Sequence, residues 1–154
     1  MKSIFTPLVI GTLIAAAVNS ALYFVATELL GHELFVDPDG VGANPGLAVS
    51  ALAPAMLTVF FTIIGGVVVA AIALATKNPR NSWRFLTLVG LALSFAPTGF
   101  ASVGVGSTFL WLSAMHVVAG AAVIPLVDRV LPEEKTPEVD TEKAASDLPS
   151  GDDA

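Results

Sequence analysis

One imidazole sits at the centre of LWLSAMHVVAGAAVIPLV, residues 110–127, with no other titratable group until Asp128. A neutral histidine donates from one ring nitrogen and accepts at the other, and its ordinary pKa of about 6.5 lets its charge change near neutrality. His116 can therefore be a hydrogen-bonding partner that locks helix register, or a proton-accepting or ligand-binding group. Ionisable residues in apolar spans are functional candidates by default, yet an imidazole facing only lipid or dry protein stays uncharged. Three more polar residues stand in comparably apolar runs: Asn19, Thr62 and Ser94. Any of them can satisfy His116 if the fold brings them to one depth.

A second group collects Glu28, His32, Glu33, Asp37 and Asp39. Glu28 and His32 share a face if the first helix runs that far. Oxygen ligands suit a weak divalent-cation site, and DPDG resembles the opening of a calcium loop, but the full loop pattern and its closing glutamate are missing. The plainer reading is a solvated acidic loop that helps to orient the protein. No catalytic residue, metal site or cofactor site is assigned on these grounds. The unequal depths of the two histidines argue against a haem held between them.

The surroundings of these residues point to lipid. Of 154 residues, 55% are hydrophobic and 13% charged, against roughly 25% charged in soluble domains. No Asp, Glu, Lys or Arg occurs between Asp39 and Lys77 or between Arg84 and Asp128. A bilayer core of about 30 Å needs about 20 mostly apolar residues per helix. Four stretches meet or approach that length: 5–30, 52–76, 85–100 and 108–127. The third is the shortest, and Pro97 is expected to kink it or stop it early. The first is expected to be an uncleaved helix, because its apolar run continues through ALYFVATELL, past any signal-peptidase site near Ala15, Ala17 and Ser20.

Cations collect on the cytoplasmic side of short loops. All seven Lys and Arg fall before the first stretch (Lys2), between the second and third (Lys77, Arg80, Arg84), or after the fourth (Arg129, Lys135, Lys143). Four spans put these places on one side, so both termini are expected in the cytoplasm of a multi-pass cell-membrane protein. TKNPRNSW reads as a tight turn, with Trp83 at the membrane interface. The loop after the first span is expected to be irregular and solvent-exposed, with a short interfacial helix around 47–52. The net charge of −6 is local: eight acids against two lysines follow Leu131. Residues 132–154 are therefore expected to be a disordered acidic tail beyond a transmembrane domain at 1–131.

Small side chains let membrane helices approach closely. Each span offers a stripe of them: Gly11, Ala15, Asn19 and Tyr23; Thr58, Thr62, Gly65 and Gly66; Thr87, Gly90, Ser94 and Thr98; Ser113, His116 and Gly120. The expected architecture is all-α, an integral membrane antiparallel four-helix bundle. At 1.5 Å per residue, Asn19, Thr62, Ser94 and His116 lie about 9 to 16 Å below the outer span ends, close enough in depth to form one polar layer.

Much chemistry is excluded. There is no cysteine, so disulfides, thiolate metal sites and cysteine nucleophiles are absent. No phosphate-cradling glycine loop, HExxH, nucleophile elbow or paired intramembrane carboxylates occur. Outside the tail, acids and bases balance, and nothing attracts nucleic acid. AAAVNSALYFVA in the first span and WLSAMHVVAGAAVIPLV, with its Met-His pair, in the last resemble a family of small bacterial four-span integral membrane proteins of unknown function. The resemblance covers roughly residues 5–131. It implies the architecture and a bacterial inner membrane, and it brings no reaction, substrate or cofactor. The expected role is structural or accessory rather than enzymatic, with lipid as one partner and a second copy or another membrane protein as a further one through the small-residue faces. The alternative is a small transporter or channel component that uses the layer around Asn19 and His116.

Overall fold

The computed structural model describes residues 3–37, 46–101 and 106–133. The acidic tail lies outside them, apart from its first residues, as does Asp39. The fold is all-α with four helices: α1, Phe5–Phe24; α2, Ala53–Leu74; α3, Pro79–Ala101; and α4, Gly106–Asp128. Runs of apolar residues without charge favour this form, because a helix satisfies its backbone N–H and C=O groups internally.

α1 widens at its end into a π-helical turn, Val25–Leu29, where the Leu30 N–H reaches the Val25 carbonyl at 3.1 Å. Gly31, at φ 66°, ends the run and lets the His32 N–H turn back to the Ala26 carbonyl. A glycine carries no Cβ penalty in that left-handed conformation. The following loop is more regular than expected. Phe35–Val36 (β1) pairs antiparallel with Leu47–Ala48 (β2), so Leu47 belongs to a strand and not to an interfacial helix. Leu47 and Ala48 follow Gly46 and are exposed, and the ladder to β1 supplies the backbone bonds that a one-turn helix would leave unmade. The Tyr23 hydroxyl donates to the Val49 carbonyl at 2.7 Å, and the Phe35 N–H to Thr108 Oγ1 at 3.3 Å. These two bonds fasten the loop to α1 and α4.

α3 begins at Pro79, six residues before the expected start at 85, and passes Pro97 without ending. Proline fits the first turn of a helix, where its missing N–H is not needed. Beyond Pro97, Thr98 Oγ1 donates to the Ser94 carbonyl at 3.0 Å, the kind of side-chain support that lets apolar helices tolerate proline.

α1 packs against α2 and α4, and α3 packs against the same two helices. Close approach follows the small residues at particular points. A Cβ on Gly11 would stand 3.0 Å from Val123 Cα, and Gly66 is covered by Leu8. Gly65 and Gly90 differ: both are exposed and a Cβ on either meets nothing within 4 Å. Neighbouring helical residues are about 100° apart, so only one glycine of the 65–66 pair can face α1.

The main apolar cluster joins Leu8, Ala70, Ala73, Trp83, Val123, Val127 and Leu131. Trp83 is fully buried there, and its Nε1 donates to the Ile124 carbonyl at 3.2 Å. It is thus a packing residue between helices and not an exposed interfacial anchor. The indole N–H makes burial tolerable by finding a carbonyl that the α4 ladder shares.

Candidate functional site

Asn19 is the most consequential polar residue inside the helices. It is 2% exposed, and its Nδ2 donates to Thr58 Oγ1 across the α1–α2 contact at 2.8 Å. Its Oδ1 is buried without a hydrogen-bond partner among the described residues, and so is the Ser113 hydroxyl of α4. Buried polar atoms left in this state cost about 1–3 kcal/mol each, so both are open valences in the interior.

By depth, the sequence allowed Asn19, Thr62, Ser94 and His116 to form one layer. Among the described residues no hydrogen bond joins any two of them. The Ser94 hydroxyl donates to the Leu91 carbonyl at 2.6 Å. His116 Nδ1 lies 2.7 Å from the Leu112 carbonyl, which can only accept, so that nitrogen donates. Its ring, half-buried, stands against Phe95 of α3 with centroids 6.2 Å apart. Thr62 is half-buried on α2, one turn beyond Thr58, which takes the Asn19 bond.

Local chemistry accounts for this pattern. Ser and Thr hydroxyls on a helix bond back to the carbonyl three or four residues earlier. Thr12 does so with Leu8, Ser20 with Ala16, Thr27 with Tyr23 and Thr87 with Trp83. His116 reaches its own helix in the same way. The Asn19 amide instead reaches across to another helix.

At the loop between α1 and α2, Glu28, His32 and Glu33 are exposed, and His32 faces Trp111 with ring centroids 6.4 Å apart. Asp37 is buried and engaged. Among the described residues no three His, Asp or Glu side chains come together as a metal-holding group.

A charged constellation that sequence spacing did not reveal forms at the other end. Arg80 Nε donates to the Asp128 carbonyl at 3.1 Å, Nη2 to the Leu131 carbonyl at 2.8 Å, and Nη1 to Glu133 Oε1. The Arg80 backbone N–H reaches the Pro132 carbonyl at 3.2 Å. Arg84 grips both oxygens of Asp128, at 2.7 and 2.8 Å. Hydrogen bonding to Asp128 and its negative charge raise the Arg84 pKa above an already high ordinary value, so Arg84 is a cation at every working pH. Arg80, Asn81, Arg84 and Glu133 line a pocket of about 250 Å³. The partners are 44 to 53 residues apart in sequence.

Three of the helical segments, Phe5–Leu29, Ala53–Leu74 and Gly106–Asp128, are long and apolar enough to cross a membrane. α3 has Arg80 and Arg84 in its first two turns and is not among them. The molecule is therefore an all-α protein with three helical segments suited in length and apolarity to a membrane, with hydrogen-bonding side chains inside and large apolar ones outside. Residues 2–133 match DUF6069, described as a family of unknown function, and the chain belongs to that family. No curated protein and no solved structure matches it. Membership attaches no reaction to the residues described above.

Proposed function

We propose that the protein is a four-span integral membrane protein of structural or accessory role, without enzymatic activity, with both termini in the cytoplasm of a bacterial cell. The observation that carries this reading is the inverted distribution of its side chains. Phe61, Leu93 and Leu110 are 65%, 67% and 68% exposed, whereas Asn19, Thr12 and Thr108 are 2%, 1% and 0% exposed. Water disfavours such an exterior; hydrocarbon accepts it, and polar groups then turn inward to find partners.

The pairings support an antiparallel bundle. Asn19 meets Thr58 while Leu8 meets Gly66, and along α3 and α4 Arg84 meets Asp128, Trp83 meets Ile124, Leu91 meets Gly120 and Phe95 meets His116. From one end of each pair to the other, the number on one helix rises as that on its partner falls. A register of this kind supports reading α3 as a fourth span beside the more apolar ones, its arginines at one end. Lys77, Arg80, Arg84 and Arg129 share that end with the start of α1, since Ile4 packs on the Trp83 cluster. Cation placement on the cytoplasmic side then supports both termini inside.

The chain lacks cysteine, so single cysteines report topology without background. Ser50→Cys is expected to react with an impermeant maleimide in intact cells, and Asn81→Cys only after permeabilisation. The reverse pattern, or recovery of the chain in the soluble fraction without detergent, overturns the reading.

A second reading, a small transporter or channel component, is favoured by one observation: the unpartnered Asn19 Oδ1 and Ser113 hydroxyl inside the helices. His116→Phe separates the two. Loss of a pH-dependent flux with the fold intact supports the transporter; lower melting temperature with no flux at stake supports the structural role.

A further inference from the structure

We propose that the pocket formed by Arg80, Asn81, Arg84 and Glu133 binds the phosphate of an anionic phospholipid, with an acyl chain seated on the neighbouring face of α3. The inference rests on the proposed membrane topology, which puts this end at the cytoplasmic leaflet.

Donors come first. A guanidinium has five N–H groups. Asp128 takes two from Arg84, and Asp128, Leu131 and Glu133 take three from Arg80. The remainder, with the Asn81 amide, stand unclaimed among the described residues, beside a pocket of about 250 Å³. Arg84 is half-exposed at 52%, so its unclaimed edge is accessible. Planar guanidinium forks match phosphate oxygens in a bidentate manner.

The shape of the face selects a lipid over a soluble anion. Asn81, Arg84, Phe85, Leu88 and Ala92 follow the i, i+3, i+4, i+7 and i+11 spacing of one helix face, and all five are exposed. Phe85 and Leu88 are 67% and 58% exposed. The stripe is thus polar for one turn at the cytoplasmic end and apolar below it, which is the layout of a headgroup above an acyl chain. Basic pockets at the cytoplasmic ends of membrane helices suit anionic headgroups.

Glu133 is the anion that holds the pocket in the absence of lipid. Its carboxylate pairs with Arg80 while 81% exposed, a pairing that water screens and that a phosphate can replace. The acid-rich chain that follows Glu133 is repelled by an anionic leaflet, which favours the exchange.

The test is native mass spectrometry of the full chain released from detergent after titration with phosphatidylglycerol, phosphatidylcholine or inorganic phosphate. Phosphatidylglycerol is expected to bind about fivefold more tightly than phosphatidylcholine, the attraction that one arginine near an anionic leaflet supplies. Asn81→Ala is expected to weaken binding of both lipids, which present the same phosphate to the amide, and Glu133→Gln to increase the preference. The double change Arg84→Gln with Asp128→Asn, which leaves no orphan charge, is expected to abolish it. Equal binding of the two lipids, a phosphatidylglycerol affinity unmoved by Asn81→Ala, or a preference unmoved by Glu133→Gln, overturns the site. So does full displacement of phosphatidylglycerol by inorganic phosphate, which identifies a soluble-anion pocket. Labelling of Asn81→Cys from outside intact cells overturns the topology; lost lipid preference with that labelling still internal overturns the lipid site alone.

Discussion

Asn19 and Trp83 show how one side chain can commit two helices. The Asn19 amide spends one donor on Thr58 and keeps an unpartnered oxygen in the interior. Interhelical hydrogen bonds of this type average about 0.6 kcal/mol and reach about 1.7 in apolar bundles. A double-mutant cycle of Asn19→Ala and Thr58→Ala is expected to return a coupling of about 1 kcal/mol, read from unfolding in mixed detergent; zero coupling removes the bond from the account. Asn19→Leu is expected to be less harmful than its burial suggests, because it removes the orphan oxygen together with the bond. Trp83 lies wholly inside, and Trp83→Ala is expected to cost about 3–5 kcal/mol through the cavity it opens. An indole exposed to lipid and headgroups would cost far less. Arg84 adds no pH dependence: its raised pKa means its contribution is complete below the ordinary value and is lost only above the raised one, beyond any working pH.

The helices carry a different kind of information, namely which of several similar glycines is a contact. Gly11→Ala drives a methyl toward the Val123 backbone and the Ala122 carbonyl, so α1 and α4 must separate, at an expected cost of about 1–3 kcal/mol. Gly65→Ala meets open space and is expected to leave stability unchanged or to raise it by up to about 1 kcal/mol through helix propensity. Melting temperatures of the two variants in one detergent check the difference, and equal losses contradict the assigned faces. The positions of the helices were legible from uncharged run length, because a span needs apolar length before anything else. Their facing was less so: Gly65 and Gly66 are chemically identical, and only the α1 contact tells them apart. The start of α3 escaped the reading because charge was taken as the edge of the segment, whereas Arg80 and Arg84 belong to its first two turns.

For the molecule as a whole, the segment after α4 is part of the fold although it follows the last apolar run. Leu131 is 1% exposed, and Arg80 holds the chain from Asp128 to Glu133 by three side-chain bonds and one backbone bond. A chain that ends at Glu133 is expected to melt as the full one does. One that ends at Val127 is expected to lose about 3–5 kcal/mol, from the buried leucine and from guanidinium bonds left unmade. Thermal melting of both in the same detergent decides; a neutral shorter truncation removes the clasp. Family membership over residues 2–133 stops at the same place.

Sequence alone determined what depends on composition along the chain: helices made of long uncharged runs, cations confined to three short places, no thiol chemistry, and the family to which the chain belongs. Such properties are sums over neighbours and need no partner. Tertiary structure decided what depends on which face meets which. It gave Asn19 to Thr58, turned His116 toward Phe95 and its own backbone, and buried Trp83. It also drew Arg80 and Arg84 to residues more than forty positions away. Hydroxyls and imidazoles can satisfy themselves within a helix, so depth alone cannot say which polar groups will meet.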